Sequence, residues 1–133
     1  MMKLFIEAKN NINEMNIEIY VDDKQIPFNY KYKSNEKGDI QVKFKFNKLL
    51  TSVGWMFKKC NSLKSIDLSS FNANSLNNMI FMFDECYSLE SVNLSSFNTT
   101  NVKDMWKMFY GCSSLKRENI KINNKDDKLL SYI

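Results

Sequence analysis

Three cysteines, Cys60, Cys86 and Cys112, recur at a constant spacing of 26 residues. They are the first place to look for chemistry. Thiols stacked one above another could form a disulfide or share a metal ion. The chain has no histidine and no C-x-x-C pair, and three thiolates leave a tetrahedral site one ligand short. An odd number of thiols argues equally against a set of structural disulfides. The cysteines are therefore expected to be small apolar core residues, with no metal and no cofactor. The Ser69-Ser70 and Ser95-Ser96 pairs lack a histidine or a suitably spaced lysine base, so no catalytic residue is expected and the chain reads as a non-enzyme. Asp22-Asp23, Asp84-Glu85 and Asp126-Asp127 lack the spacing and glycine of a calcium loop.

Basic residues offer no phosphate-binding stripe. Residues 1–49 hold nine Lys against seven Asp or Glu, residues 50–115 hold five against five, and residues 116–133 hold five Lys or Arg against three. The net charge of +4 thus sits at the two ends. Lysines alternate with aromatics in the stretch Phe28, Tyr30, Lys31, Tyr32, Lys33 and Lys43 to Phe46. Single-stranded nucleic acid stacking on such a sheet is a third-ranked reading. Strand alternation puts the rings and the lysines on opposite faces, as any half-buried sheet requires, so nucleic acid is not an expected partner.

The elements that must position these residues follow from an internal repeat. Leu50–Leu63, Leu76–Leu89 and Val102–Leu115 align without a gap, matching Met56, Met82 and Met108, Phe57, Phe83 and Phe109, and the three cysteines. Two units continue as Ile66-Asp67-Leu68-Ser69-Ser70-Phe71-Asn72 and Val92-Asn93-Leu94-Ser95-Ser96-Phe97-Asn98. The spacing of Leu63, Ile66 and Leu68 is that of a leucine-rich strand, with Ile66 and Leu68 inward and their neighbours outward. The three-to-four-residue rhythm of Leu76, Met79, Met82 and Phe83 predicts a helical or 3₁₀ segment on the opposite side. The third unit departs after Leu115, because Glu118 stands where Ile66 and Val92 would recur and the next apolar residues, Ile120 and Ile122, are displaced by two. Residues 1–49 instead alternate with period two, in series around Leu4, Ile17, Tyr30 and Phe44, with turn signals at Asp22-Asp23-Lys24 and Asn35 to Asp39. The expected fold class is α+β: a short right-handed leucine-rich-repeat solenoid of about two and a half units at 50–115, an N-terminal antiparallel β cap at 1–49 and a C-terminal cap at 116–133.

The pattern Met-Phe-x-x-Cys-x-Ser-Leu-x-x-[Ile/Val]-[Asp/Asn]-Leu-Ser-Ser-Phe-Asn at 56–72 and 82–98 resembles the BspA-like leucine-rich repeats, closest to the subset of mycoplasma surface lipoproteins and protist proteins. The resemblance implies a right-handed solenoid and, in bacterial members, surface attachment or binding of host matrix proteins. The departures are the missing secretion signal, lipoprotein cysteine and long array. A charge follows three apolar residues at the N-terminus and no apolar run is long enough to span a bilayer, so the chain as written is expected to be cytoplasmic, or at the cell surface if it is a fragment.

The functional expectation is a monomeric protein-interaction module whose partner is a protein of unknown identity. Its ligand surface is placed on the strand face: Lys64, Ser65, Asp67, Ser69, Glu90, Ser91, Asn93 and Ser95. Trp55 shares its repeat position with Phe81 and Lys107, and a position that accepts lysine is partly exposed, so Trp55 is a possible anchor. The second-ranked reading is a short or fragmentary copy of a cell-surface adhesin repeat protein with a structural role.

Overall fold

The computed structural model describes residues 3–5, 17–27, 31–33, 42–123 and 127–132. Among the described residues eight strands follow in chain order: β1 (Lys3–Phe5), β2 (Ile17–Val21), β3 (Lys24–Ile26), β4 (Lys31–Lys33), β5 (Val42–Phe46), β6 (Ser65–Asp67), β7 (Ser91–Leu94) and β8 (Ile120–Ile122). They form three small sheets, β1-β4, β3-β2-β5 and β6-β7-β8.

In the repeat, β6 and β7 pair in parallel with Ser65 beside Ser91, Ile66 beside Val92 and Asp67 beside Asn93, an offset of 26. β8 joins with Val92 beside Ile120 and Leu94 beside Ile122, an offset of 28. The two extra residues are absorbed just before the strand, where Arg117–Asn119 form a 3₁₀ turn. Parallel stacking at the usual strand separation of about 4.8 Å carries the side chains into columns. Phe57, Phe83 and Phe109 stack with ring centroids 5.5 Å apart at each step. Phe71 and Phe97 follow at 5.4 Å. Met56, Met82 and Met108, and Val53, Met79 and Met105, are all buried.

The expected α+β leucine-rich-repeat solenoid does not hold. Among the described residues the one α-helix is the single turn α1 (Asp127–Leu130), and the repeat is built of short strands, turns and coil. The stretch read as helical is a run of β-turns. In the second layer Met82 N–H donates to Met79 O and Cys86 N–H to Phe83 O, with Phe81 and Glu85 at φ 54° and 58° in the third position of each turn. That is the type II arrangement. The first and last residues of these turns are the apolar ones, so a turn repeated along the chain produces a helix-like rhythm. Three backbone facts rule out the α-helix. The amides of Met79, Phe81, Phe83 and Glu85 donate to the carbonyls of Asp104, Trp106, Met108 and Tyr110, 25 residues ahead rather than four behind. Val53, Trp55, Phe57 and Lys59 do the same toward Asn78, Ile80, Met82 and Asp84. Left-handed residues recur at 55, 59, 81, 85, 107 and 111, which a right-handed helix cannot accommodate.

Polar columns fix the corners. Ser52 Oγ, Asn78 Oδ1 and Asp104 Oδ1 accept from the amides of Gly54, Ile80 and Trp106, and Asn72 and Asn98 do so from Asn74 and Thr100. These local side-chain-to-backbone bonds favour turns over helix and give the abundant asparagine a structural use.

In the N-terminal region β2 and β3 form a hairpin whose two-residue loop, Asp22-Asp23, has φ of 47° and 64°, the type I′ geometry. β5 pairs with the other side of β2. β4 pairs with β1 instead of continuing this sheet, so the strands do not make one simple meander. The apolar face of β2 and β5 seals the first layer: Phe44 packs edge-on against Phe57 at 5.3 Å and Phe46 against Phe71 at 4.6 Å. At the far end Leu129 is buried and Lys128 Nζ donates to Val102 O at 2.7 Å. The remaining residues of the N-terminal series, including Phe28, Tyr30 and the 35–39 turn, lie outside the described residues.

Gly111 fills the left-handed position at φ 76° that Lys59 and Glu85 occupy in the other layers, and an added Cβ would lie 3.2 Å from Glu85 Cα. Gly111→Ala is expected to lower stability by about 1–2 kcal/mol through left-handed strain and crowding, read as a lower urea midpoint with an unchanged slope.

Candidate functional site

Because β6 and β7 pair in register, the outward side chains of the strand face lie in rows. Ser65 stands beside Ser91, and Asp67, Asn93 and Lys121 form a row across all three strands. Lys64 and Glu90 precede the strands and Ser69 and Ser95 follow them; Ser91 and Asn93 are half-buried and the other six strand-face candidates are exposed. The structure thus brings the eight strand-face candidates together on one side of the repeat.

Two of them also hold the backbone. Asp67 Oδ1 accepts from Ser69 N–H at 2.8 Å, and Asn93 Oδ1 from Ser95 N–H at 3.1 Å. The Asp67 carboxyl is held below its ordinary value, chiefly by the Ser69 hydroxyl, then by the Ser69 amide, with smaller help from Asn93 and Lys121. At neutral pH the row therefore offers a carboxylate, an amide and an ammonium group in sequence, a surface suited to hydrogen bonding and charge recognition.

Trp55 stands apart, in the turn segment. It is half-buried and stacked on Phe81 at 5.8 Å, with Phe81 in turn meeting Trp106 edge-on at 5.3 Å. Among the described residues the most exposed rings are ones that sequence reasoning missed. Trp106 and Tyr110 are 57% and 59% exposed, with Lys107 Nζ 4.7 and 4.6 Å from their ring centres. Trp106 has no aromatic counterpart at Gly54 or Ile80, so the repeat pattern gave no signal for it.

A second missed feature is a cleft of about 890 Å³ between the N-terminal sheet and the repeat. Its walls are residues 42–49 on one side and Ser65, Asp67 and residues 69–72 on the other, with Tyr20 and Asp23 at the margin. Next to it Glu18 accepts from Tyr20 Oη at 2.6 Å and Asn47 Nδ2 at 2.8 Å. Those bonds, with that from Lys45, lower its pKa to about 2.

Among the described residues Cys60, Cys86 and Cys112 form no disulfide, and no group of three His, Cys, Asp or Glu side chains is placed to hold a metal ion. Cys86 Sγ donates to Phe57 O at 2.9 Å and Cys112 Sγ to Phe83 O at 3.1 Å, so the thiols add rungs between layers. Hydrogen bonding with Cys60, then burial, raises the Cys86 thiol, while burial pushes Cys112 up to about 12 from the usual 9.0.

One charge is buried in the turn segment. Asp84 is almost inaccessible; its Oδ2 lies 3.0 Å from Lys58 Nζ, whose aliphatic stem is covered, and its Oδ1 has no hydrogen-bond partner among the described residues.

Residues 27–131 match the family described as Mycoplasma protein of unknown function, DUF285. The chain belongs to that family. No curated protein and no solved structure matches significantly. Among the described residues no helix is long and apolar enough to cross a membrane.

Two outcomes follow from the buried groups. A raised thiol pKa means that the folded state holds the proton more tightly, so this stabilisation is complete below the unfolded value of 9.0 and disappears as pH rises toward 12. The melting temperature should therefore fall across that alkaline range, and native Cys86 and Cys112 should resist iodoacetamide at pH 7 until denaturant is added. Lys58→Met should cost about 3 kcal/mol by leaving the Asp84 carboxylate without its ion-pair partner. Adding Asp84→Leu should recover much of that loss in a double-mutant cycle by urea denaturation.

Proposed function

We propose that this DUF285 member is a non-enzymatic protein-interaction module that presents its ligand surface on the strand face of the repeat. The supporting observation is the row Asp67–Asn93–Lys121, held in register by β6, β7 and β8, with Asp67 bordering the adjoining cleft. Rows of polar side chains on stacked strands are fixed in spacing by the backbone, while their identities are largely free of core packing. A partner can therefore be matched there without changing the fold. The lack of histidine in the sequence and the raised Cys86 and Cys112 thiols support the non-enzymatic reading.

The finer likeness to BspA-like repeats belongs to this proposal too. The 26-residue unit with its Met-Phe-x-x-Cys-x-Ser-Leu core supports it, and with it a role in contacts at a cell surface, where the partner would be a host or matrix protein. Nucleic-acid binding draws no comparable support. Phe44 and Phe46 are turned against Phe57 and Phe71, so these rings are not available for stacking with bases.

Asp67→Asn combined with Glu90→Lys removes one charge and reverses another on exposed strand-face positions, while Asn at 67 keeps the acceptor for Ser69 N–H, as Asn93 does for Ser95. Affinity capture from native cell extracts should recover a protein with the wild type and lose it with the double variant, at matching circular dichroism spectra. A specific partner that binds both forms equally would place the interaction elsewhere.

A further inference from the structure

The cleft beside β5 is bordered on both sides by strand edges that pair with nothing among the described residues. For β5 the direction of its peptide groups follows from the hairpin. Val21 and Lys24 flank a two-residue turn, so they form a hydrogen-bonded pair, and Val21 and Ile19 direct their peptide groups to β3. Tyr20 and Glu18 then face β5, engaging their partners Lys43 and Lys45. Val42, Phe44 and Phe46 are left with their amides and carbonyls on the outer edge. The lining agrees: consecutive residues 42–46, from both faces of the strand, border the cleft, as they do when a strand is approached along its edge.

Across the cleft, Lys64 O accepts from Glu90 and Ser91, and Leu68 N–H donates to Asn93 O. Even-numbered residues of β6 therefore face β7, and Ser65 and Asp67 direct their peptide groups the other way. Exposed edges of this kind are templates for another strand.

We propose that this cleft takes an extended segment of a partner protein, added as a strand along the open edge of β5, with apolar residues alternating with acidic ones. The proposal rests on the reading of the chain as an interaction module and names its ligand class. Alternation follows from the two sides of the cleft. Val42 and Phe46, both half-buried, offer apolar surface to every second side chain, and the exposed Lys43 and Lys45 offer positive charge to those between, joined by Lys48 and faced by Asp67 on the opposite wall. Lys43 and Lys45 pair with Asp23 and Glu18, but both lysines are well exposed. Such surface pairs contribute little and exchange readily for a new carboxylate. The volume lies within the range that encloses drug-sized ligands, enough for a short stretch of peptide.

The test uses the full chain and a fluorescein-labelled peptide alternating valine and glutamate, followed by fluorescence anisotropy. Saturable binding is expected. Methylating every second backbone nitrogen in one register should abolish it, while methylation in the other register should leave it intact, since only one set of amides faces β5. Val42→Pro removes an edge donor at the first residue of a strand, where proline is tolerated, and should weaken binding roughly tenfold. Lys45→Glu should weaken the glutamate peptide and favour a valine–lysine one. No binding, equal binding of both methylated registers, or dimerisation of the chain through this edge would overturn the proposal. The methylated pair decides the matter even if Val42→Pro fails to fold. A chain that ignores the peptide yet captures a partner through Asp67 and Glu90 keeps its proposed function and loses strand addition alone.

Discussion

The ladder between turn segments is the constraint on which the rest of the molecule depends. Alternate amides from Val53 to Lys59 and from Met79 to Glu85 donate to carbonyls 25 residues further on. With Asn77 N–H donating to Thr51 O and Lys103 N–H to Asn77 O, each step between layers is tied at five points on the turn side before β6–β8 tie it on the strand side. A turn segment left alone would bury amides without partners, which is costly. Left-handed backbone at Trp55, Lys59, Phe81, Glu85 and Lys107 turns alternate peptides toward the neighbouring layer. The strain at each non-glycine position, about 1 kcal/mol, is offset by the bonds it permits.

Register fixed in this way dictates the core. Any residue one period away must lie directly above its counterpart, so each inward position becomes a column, and a column packs well when its members match in size and shape. Phe57, Phe83 and Phe109 lie nearly parallel, with interplanar angles of 10° and 5°. Cysteine suits the 60/86/112 column for the same reason: it is small enough for the tight corner and its thiol can reach the carbonyl of the layer before. The ends of such a stack expose their columns, and Phe44, Phe46 and Leu129 cover them.

Much of this was legible in the sequence because columns and period are the same fact seen in different dimensions. The coincidence of Phe, Met and Cys at a 26-residue offset already contained the stacking, and the displaced Ile120 and Ile122 contained the altered register of β8. The strand signals around Ile19 and Phe44 likewise marked β2 and β5. The α+β reading failed because apolar residues three apart mark the two ends of a β-turn as well as one face of a helix. What separates the two is the destination of the amides, which composition does not record. The cleft was invisible for a different reason. It is formed by two edges from regions about 20 residues apart in sequence, Val42–Phe46 and Ser65–Asp67, and neither segment signals that it will end a sheet. Strand-face positions were readable as outward-facing, but the second duty of Asp67 and Asn93, bonding the amides of Ser69 and Ser95, required coordinates.

That second duty bears on how the strand face can vary. At 67 and 93 the side-chain oxygen closes the turn that ends the strand, so only residues with a short acceptor keep both roles. The third member of the row is Lys121, which carries no acceptor. β8 enters through a 3₁₀ turn and is followed by no Ser-Ser-Phe segment, so the closing bond is not needed there. Charge along the row is consequently set by local turn chemistry at two positions and left open at the third. The neighbouring Glu90 lies exposed beside the row. Charge on this face can then vary at 90 and 121 without disturbing the ladder, while Asp67 and Asn93 hold the turns that end the strands.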